Sequence, residues 1–233
     1  MVAGLSLVAG GRSRASFSPP SGAADGARWR LPAPPRATLS ELFPATARDA
    51  GATGLLLAQL PRGKPLLWVQ ERMAMIEGGR IYPPGLGVAE LIHVSARDAR
   101  TTLWAMEEGL RCSALGAVIG EIWGDPAALD FTATRRLAVA AERNGVAAFL
   151  IRPGGHANLS GARMRWRIAS APSLANALDP KAPGAPAWDA ELFRARGFMP
   201  DRWTVSHDRT ADRLDLAAAA GDRALVEDQR RVG

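Results

Sequence analysis

The segment from Ala117 to Ile151, AVIGEIWGDPAALDFTATRRLAVAAERNGVAAFLI, decides the fold class of this chain. It begins with the apolar run AVI and ends with the apolar run AFLI, and neither run alternates with polar residues. Such runs are typical of strands that are buried on both faces of a sheet. The residues between them, Thr132–Arg143, have a helical pattern. The segment therefore predicts a β–α–β unit with parallel strands.

The ends of this predicted helix are also readable. Asp130 or Thr132 is a suitable N-cap, and Gly145 is a suitable C-terminal stop. Its apolar residues are expected to face inward, and they are Leu137, Val139 and Ala140.

Similar units precede this segment in the chain. Strand-like apolar runs occur at Leu66–Val69 and Leu91–Val94. Helical patterns occur at Thr53–Gln59 and Ala99–Arg111, with Asp98 as an N-cap of the second. Alternation of strands and helices over this length predicts an α/β fold, in which helices cover both faces of a mostly parallel sheet.

The pattern changes after Pro153. Met164–Ile168 alternates apolar residues with arginine, and Trp203–Val205 is another short apolar run. We expect both to be antiparallel strands at one edge of the sheet, with a short helix at Trp188–Arg196 between them. The complete expectation is a three-layer core with an antiparallel edge.

Composition limits the chain to one globular domain with loose ends. Its 233 residues (24.7 kDa) are 47% hydrophobic and 22% charged, which suits a single large core. We expect a flexible basic arm at residues 1–37, a domain at 38–216 and a flexible tail at 217–233. No apolar run reaches the roughly 18 residues of a membrane span. The single cysteine, Cys112, fits a reducing cytoplasm.

The formal charge of +6 is the excess of 29 basic over 23 acidic residues. The basic residues are 27 arginines and only two lysines, Lys64 and Lys181. Two explanations stay open: a compositional habit of the source genome, or a surface that binds nucleic acid. The scarcity of lysine limits where an ATP-hydrolysing phosphate loop could lie, because such loops need a lysine to compensate the phosphate charge.

The place of a phosphate loop in this fold is the connection before the first helix. That connection runs from Leu42 to Leu55 and reads LFPATARDAGATGL. Gly51 and Thr53 stand where the last glycine and the hydroxyl residue of a phosphate loop would stand, but the lysine position is Ala52. The only Gly-Lys pair, Gly63-Lys64, precedes proline and a strand. We therefore expect a degenerate phosphate loop without ATP hydrolysis.

Several motifs together resemble one protein family. Its earlier motifs are IYPPGL at Ile81–Leu86, LWAMEEGLR at Leu103–Arg111 and LDFTATRRL at Leu129–Leu137. The later motifs are RWRI, LFRARG and RLDL, which begin at Arg165, Leu192 and Arg213. Taken together over about Leu39 to Leu216, they resemble the ImuA family, the RecA-like proteins of bacterial inducible mutagenesis.

The resemblance implies a RecA-like core and a non-catalytic function. That function is accessory to damage-induced, error-prone translesion DNA synthesis within the SOS response. The implied partners are an ImuB-like, polymerase-related protein and a DnaE-type error-prone polymerase. The implied location is the cytoplasm, at the nucleoid during DNA damage. Two alternatives stay open: a SulA-like inhibitor of cell division and a weakly DNA-binding, recombinase-like protein.

The resemblance to RecA also assigns positions in a nucleotide site. Glu71 falls where RecA enzymes keep a catalytic glutamate, and Glu121 falls where a Walker B aspartate would stand. With Gly51, Ala52 and Thr53 they outline a degenerate nucleotide site that we expect to be inactive, with no cofactor. The alternatives are two solvated strand-end residues or a vestigial, magnesium-assisted site.

An arginine row is the candidate nucleic-acid site. Alternate residues of a strand share a face, so Arg163, Arg165 and Arg167 are expected to form one basic row while Met164 and Trp166 pack inward. Three functions stay open for the row: contact with single-stranded DNA, docking of a protein partner, or protection of a sheet edge.

Overall fold

The computed structural model describes residues 31–60, 63–87, 90–176, 178–179, 181–209 and 212–217. The expected tail beyond residue 217 and the expected arm up to residue 30 lie outside these ranges. Leu31, the first described residue, is 7% exposed and packs in an apolar cluster of the domain.

In the described ranges the chain forms nine strands and five helices. They are β1 (Leu39–Pro44), α1 (Gly51–Leu57), β2 (Leu66–Glu71), α2 (Arg72–Gly78), α3 (Pro83–Leu86), β3 (Leu91–Ala96), α4 (Ala99–Gly109), β4 (Ala117–Glu121), α5 (Phe131–Asn144), β5 (Ala147–Ile151), β6 (Met164–Ala171), β7 (Ala187–Ala195), β8 (Asp201–Asp208) and β9 (Arg213–Leu216). None of these helices combines the length and the apolar character that crossing a bilayer requires.

All nine strands belong to one sheet, in the order β3-β2-β4-β5-β1-β6-β7-β8-β9. The first six pair in parallel, and the pairs β6–β7, β7–β8 and β8–β9 are antiparallel. This confirms the expected α/β fold with a mostly parallel sheet and an antiparallel edge, and it is consistent with a RecA-like core.

Two details of the predicted edge are wrong. Met164–Ile168 belongs to β6, which pairs in parallel with β1 on one side, so it lies inside the sheet. Trp188–Arg196, predicted as a helix, lies mostly in strand β7. Its Ala, Glu and Leu residues favour a helix locally, but Trp188, Ala190 and Leu192 are buried at every second position. Pairing with β6 and β8 therefore outweighs the helical propensity.

The sheet separates two apolar clusters. On one face, α4 and α5 pack through Leu103, Met106 and Leu137. On the other face, α1 packs against β6 and the antiparallel strands. Val139, expected to face inward, is 47% exposed on α5. It lies two residues beyond buried Leu137, which is about 200° around a helix, so it points to the outer side.

The predicted helix ends are confirmed. The Asp98 carboxylate accepts a hydrogen bond from the Thr101 amide (2.7 Å), and Asp130 accepts one from Ala133 (2.7 Å). Gly145 follows α5 with φ of 70°, in the left-handed region where glycine avoids the strain of a side chain.

The connection from β5 to β6 approaches the backbone of α5 closely at Gly161. The Gly161 amide donates to the Thr134 hydroxyl at 2.9 Å. A Cβ atom at Gly161 would lie 2.6 Å from the backbone nitrogen and Cα of Arg135.

We therefore expect Gly161→Ala to lower the free energy of unfolding by about 1–3 kcal/mol, since helix backbone cannot move aside as a side chain would. Urea denaturation followed by circular dichroism measures the change. The control is Gly78→Ala in α2, where the added Cβ meets only Glu121 Oε1 at 3.8 Å. A loss of equal size in both variants would contradict the close approach.

Candidate functional site

The carboxyl ends of the parallel strands form the edge at which α/β proteins bind ligands. The β1–α1 connection, Glu71 at the end of β2 and Glu121 at the end of β4 all lie along this edge. β4 lies two strands from β1 and β2 lies three strands away, which is about 10 and 14 Å at ordinary strand spacing. The predicted nucleotide residues therefore share one edge of the sheet without converging on one point.

The β1–α1 connection contains a carboxylate, Asp49, that accepts hydrogen bonds at the start of α1. The Asp49 carboxylate accepts hydrogen bonds from the Gly51 amide (2.8 Å), the Ser170 amide (2.9 Å) and the Ser170 hydroxyl (2.5 Å). Burial raises the pKa of Asp49, but these hydrogen bonds lower it by more, so the pKa lies below its usual value. The first amide of α1, which a phosphate loop would offer to its ligand, is thus bonded to a carboxylate.

The three predicted loop positions are packed in the domain. Gly51 is buried, and a Cβ atom there would lie 2.8 Å from the Ser170 amide nitrogen. Ala52 is fully buried in the apolar cluster that also holds Leu55. Thr53 is half-buried. A lysine at position 52 would start from a site inside the core, where an unpaired ammonium group is costly.

Glu71 is bonded to the β4–α5 connection. It is 7% exposed, and its Oε2 accepts the Trp123 amide at 2.9 Å. Burial is the main reason that the pKa of Glu71 is raised; Asp98 adds to this, and the hydrogen bond from Trp123 opposes it. Glu71 therefore joins two connections at the carboxyl edge.

Glu121 belongs to a second cluster of hydrogen bonds, centred on buried Gln70. Gln70 Nε2 donates to Glu121 Oε2 (2.8 Å) and to the Gly79 carbonyl (3.2 Å). Gln70 Oε1 accepts the Ile81 amide (3.0 Å) and lies 3.1 Å from His93 Nε2. Burial raises the pKa of Glu121, against the hydrogen bond from Gln70. This cluster holds the start of the IYPPGL motif on the sheet.

The β5–β6 connection lies close to the β1–α1 and β4–α5 connections at Gly154. A Cβ atom at Gly154 would lie 3.6 Å from both the Ala47 Cβ and the Trp123 ring. Arg48 of the β1–α1 connection reaches α2, where its guanidinium lies 3.5 Å from Glu77. The connections after β1, β4 and β5 therefore contact one another across the carboxyl edge.

A buried group of charges lies beside this edge. Glu41, on β1, is fully buried and accepts Arg165 Nε at 2.7 Å, while Arg152 Nη1 lies 3.5 Å away. Arg152 also pairs with Asp125 at 2.5 Å, and Asp125 in turn lies 2.6 Å from His156 Nδ1. Glu41 and the two guanidinium groups are buried, and the more exposed Asp125 balances the second positive charge.

Aromatic rings complete the burial of these guanidinium groups. Arg165 lies 5.3 Å from the centroids of both Phe43 and Phe193, and Arg152 lies 5.5 Å from Phe43. The rings attract the cations through their negative faces. Arg152 Nε and Arg165 Nη2 are buried and have no hydrogen-bond acceptor among the described residues.

The three arginines of the predicted row have three different surroundings. Arg163 pairs with Glu142 of α5 at 2.7 Å. Arg165 is 3% exposed and bonded to Glu41. Arg167 is exposed, pairs with Glu191 at 3.0 Å and lies 4.2 Å from the Phe193 ring. Met164 and Trp166 are buried as expected. DNA contact by the row stays a prediction, and the exposed atoms for it belong to Arg163 and Arg167.

Sequence reasoning did not single out the other members of these clusters, namely Glu41, Gln70, Asp125 and Arg152. One signal was available for Glu41, which is a charged residue inside the apolar run of β1. An acidic residue at such a position requires a buried cation.

The strand order and the two helical layers are consistent with a RecA-like α/β domain, and no lysine occurs in its β1–α1 connection. The chain is 34% identical over 189 residues to Protein ImuA of Caulobacter vibrioides strain NA1000, and equally to that of strain ATCC 19089. Each alignment covers 74% of this chain and 74% of the relative. No protein-family model matches the chain. The chain belongs to the ImuA family, as its motifs indicated.

The buried charges lead to a prediction about Arg165. We expect Arg165→Gln to lower the free energy of unfolding by about 3–5 kcal/mol, because it leaves Glu41 buried with one weaker partner. The matched control, Arg167→Gln, removes an exposed pair and should cost about 1 kcal/mol or less. Chemical denaturation of both variants checks the difference, and equal losses would show that Glu41 does not depend on Arg165.

The Asp49 hydrogen bonds predict a pH-dependent stability. Because the folded pKa of Asp49 lies below its ordinary value of 3.8, its contribution is present above about pH 4 and is lost as the pH falls through the folded pKa. At pH 7, Asp49→Asn should cost about 0.5–1.5 kcal/mol. The cost should shrink on acidification.

Thermal melts of Asp49→Asn between pH 3 and 7 measure this dependence. The control is Glu77→Gln, which removes the exposed pair between the same connection and α2 and should change stability by less than about 0.5 kcal/mol. A pH-independent cost for Asp49→Asn would mean that the carboxylate charge is not what these donors stabilise.

Proposed function

We propose that this protein is a non-catalytic, RecA-like accessory of damage-induced, error-prone translesion DNA synthesis, acting in the cytoplasm and at the nucleoid. Its partners in this proposal are an ImuB-like, polymerase-related protein and a DnaE-type error-prone polymerase. The observation that carries the proposal is membership of the ImuA family.

The β1–α1 connection supports the non-catalytic part of the proposal. Phosphoryl transfer depends on positive charge that stabilises the transferred group. Here the lysine position holds buried Ala52, and the Gly51 amide is bonded to Asp49. A phosphate approaching this amide would meet the negative charge of Asp49.

The two carboxylates at RecA-like positions support the same interpretation. Glu71 accepts a backbone amide, and Glu121 accepts the Gln70 amide group. Burial raises the pKa of both carboxyl groups, and each already accepts a hydrogen bond from the protein. Their hydrogen bonds give both residues a structural role that needs no nucleotide.

Single-stranded DNA is a further ligand in this proposal, contacted by Arg163 and Arg167. Binding of this kind would be indifferent to sequence and weakened by salt, because each neutralised phosphate releases counterions. Arg165 is not part of this surface, since it is bonded to Glu41 inside the domain.

The test is a capture experiment with purified proteins. The tagged full chain is incubated with an ImuB-like protein and, separately, with the division protein FtsZ, and retained protein is quantified. We expect retention of the ImuB-like protein alone. Retention of FtsZ alone would support a SulA-like inhibitor of cell division and overturn the proposal.

ATP turnover, measured on the same preparation with and without single-stranded DNA, separates the remaining alternative. Turnover at the background rate in both conditions is expected. Turnover stimulated by single-stranded DNA would support a recombinase-like protein.

A further inference from the structure

A groove of about 630 Å³ runs along the outer side of the two helices α4 and α5. Its walls come from the second half of α4 and from most of α5. It lies on the solvent side of the helical layer, away from the carboxyl edge described above.

The groove is rich in arginine. Four arginines line it, with Glu107 as its only lining carboxylate, and they are Arg111, Arg135, Arg136 and Arg143. Arg136 pairs with Glu107 at 2.9 Å, and Arg111 pairs with the neighbouring Glu108 at 3.2 Å. Arg135 and Arg143 are exposed and form no ion pair with any residue in the described ranges. Two guanidinium groups are therefore available to a ligand.

Apolar side chains alternate with these available arginines. Along the outer side of α5, Phe131, Arg135, Val139 and Arg143 follow one another at intervals of four residues, so neighbours in this series lie close together. Phe131 is 40% exposed and Val139 is 47% exposed. On α4, Trp104 stands three residues before the lining residue Glu107, outside the groove lining itself, and is 61% exposed. Aromatic rings beside arginine are the side chains that dominate protein-binding surfaces.

The ends of this chain do not suit the groove. Leu31 packs in the cluster on the opposite face of the sheet, and β9 is the outermost strand at the far side. Residues 1–30 carry four arginines and a single acidic residue, Asp25, and residues 218–233 carry three arginines and three acidic residues. Neither segment has the net negative charge that matches an arginine-rich groove.

A nucleic acid suits the groove less well than a protein. Glu107 lines the groove and Glu108 follows it on α4, and both would repel a phosphate backbone. A peptide can place its carboxylates at Arg135 and Arg143 only and fill the rest of the groove with apolar side chains.

We propose that the α4–α5 groove binds an acidic amphipathic helix of a protein partner, with carboxylates on Arg135 and Arg143 and apolar anchors on Val139 and Trp104. Recognition of a helix in a groove uses anchors spaced by three and four residues, as the series on α5 is. The inference deepens the proposed function by giving the chemistry of the partner segment, and it rests on that function only in assuming a protein partner.

The test uses two synthetic peptides and the full-length chain. Each labelled peptide has about 16 residues and leucine anchors at helical spacing; one carries glutamate at its polar positions and the other carries lysine. Fluorescence anisotropy at physiological salt measures binding of both peptides and of a labelled oligothymidine strand. We expect saturable binding of the glutamate peptide and no binding of the lysine peptide. Binding of oligothymidine through Arg163 and Arg167 should not change when the groove is altered.

Charge reversals then locate the binding. Arg135→Glu with Arg143→Glu should weaken binding of the glutamate peptide at least about tenfold. Val139→Ser should weaken it about threefold or more, because it removes an apolar anchor. The matched control is Arg72→Glu with Arg194→Glu, two exposed arginines outside the groove with the same change in net charge; it should weaken binding less than about twofold.

Three outcomes would overturn the inference. They are no saturable binding of the glutamate peptide up to about 1 mM, equal weakening by the groove and control reversals, or binding of oligothymidine that the groove reversal abolishes while the peptide stays unbound. Melting curves of each variant establish that it is folded. These results do not depend on which partner the capture experiment retains, so the two proposals fail independently.

Discussion

A single buried carboxylate, Glu41 in β1, links the neighbouring strands β5, β1 and β6. Arg165 reaches it from β6 and Arg152 from the end of β5, and Asp125 extends the group to the β4–α5 connection. Burying a charge is costly unless it is paired. Glu41, Arg152 and Arg165 therefore require one another, and any arrangement that separated β1, β5 and β6 would leave a charge unpaired inside the protein.

The carboxyl edge, beside this group of charges, also consists of polar groups that pair within the protein. In α/β proteins that bind nucleotides, this edge offers backbone amides and charged side chains to a ligand. Here Asp49 takes the first amide of α1, Glu71 takes the Trp123 amide, and Gln70 holds Glu121. The polar groups of the edge are therefore hydrogen-bonded to one another. The exposed arginines Arg135 and Arg143 lie on the outer helical layer.

Much of the fold could be predicted from the sequence, because strands that are buried on both faces have a simple hydrophobic pattern. The parallel strands appear as uninterrupted apolar runs, and the cap residues Asp98 and Asp130 mark where helices begin. Strand β7 was misread, since its residues favour a helix and only its two neighbouring strands decide otherwise. The alanine at position 52 was equally readable, whereas the partner of Asp49 was not, because Ser170 lies 121 residues away.

The sequence by itself determined the α/β class and the absence of lysine from the β1–α1 connection. Through its motifs it also determined the ImuA family. It did so because residue type, local periodicity and short motifs are properties of neighbouring residues. Only the tertiary structure decided that Arg165 is buried while Arg163 and Arg167 are not, although simple strand alternation would place all three on one face. Burial depends on what the other strands and helices bring to that face, and Glu41 and Glu142 come from more than 20 residues away in the chain.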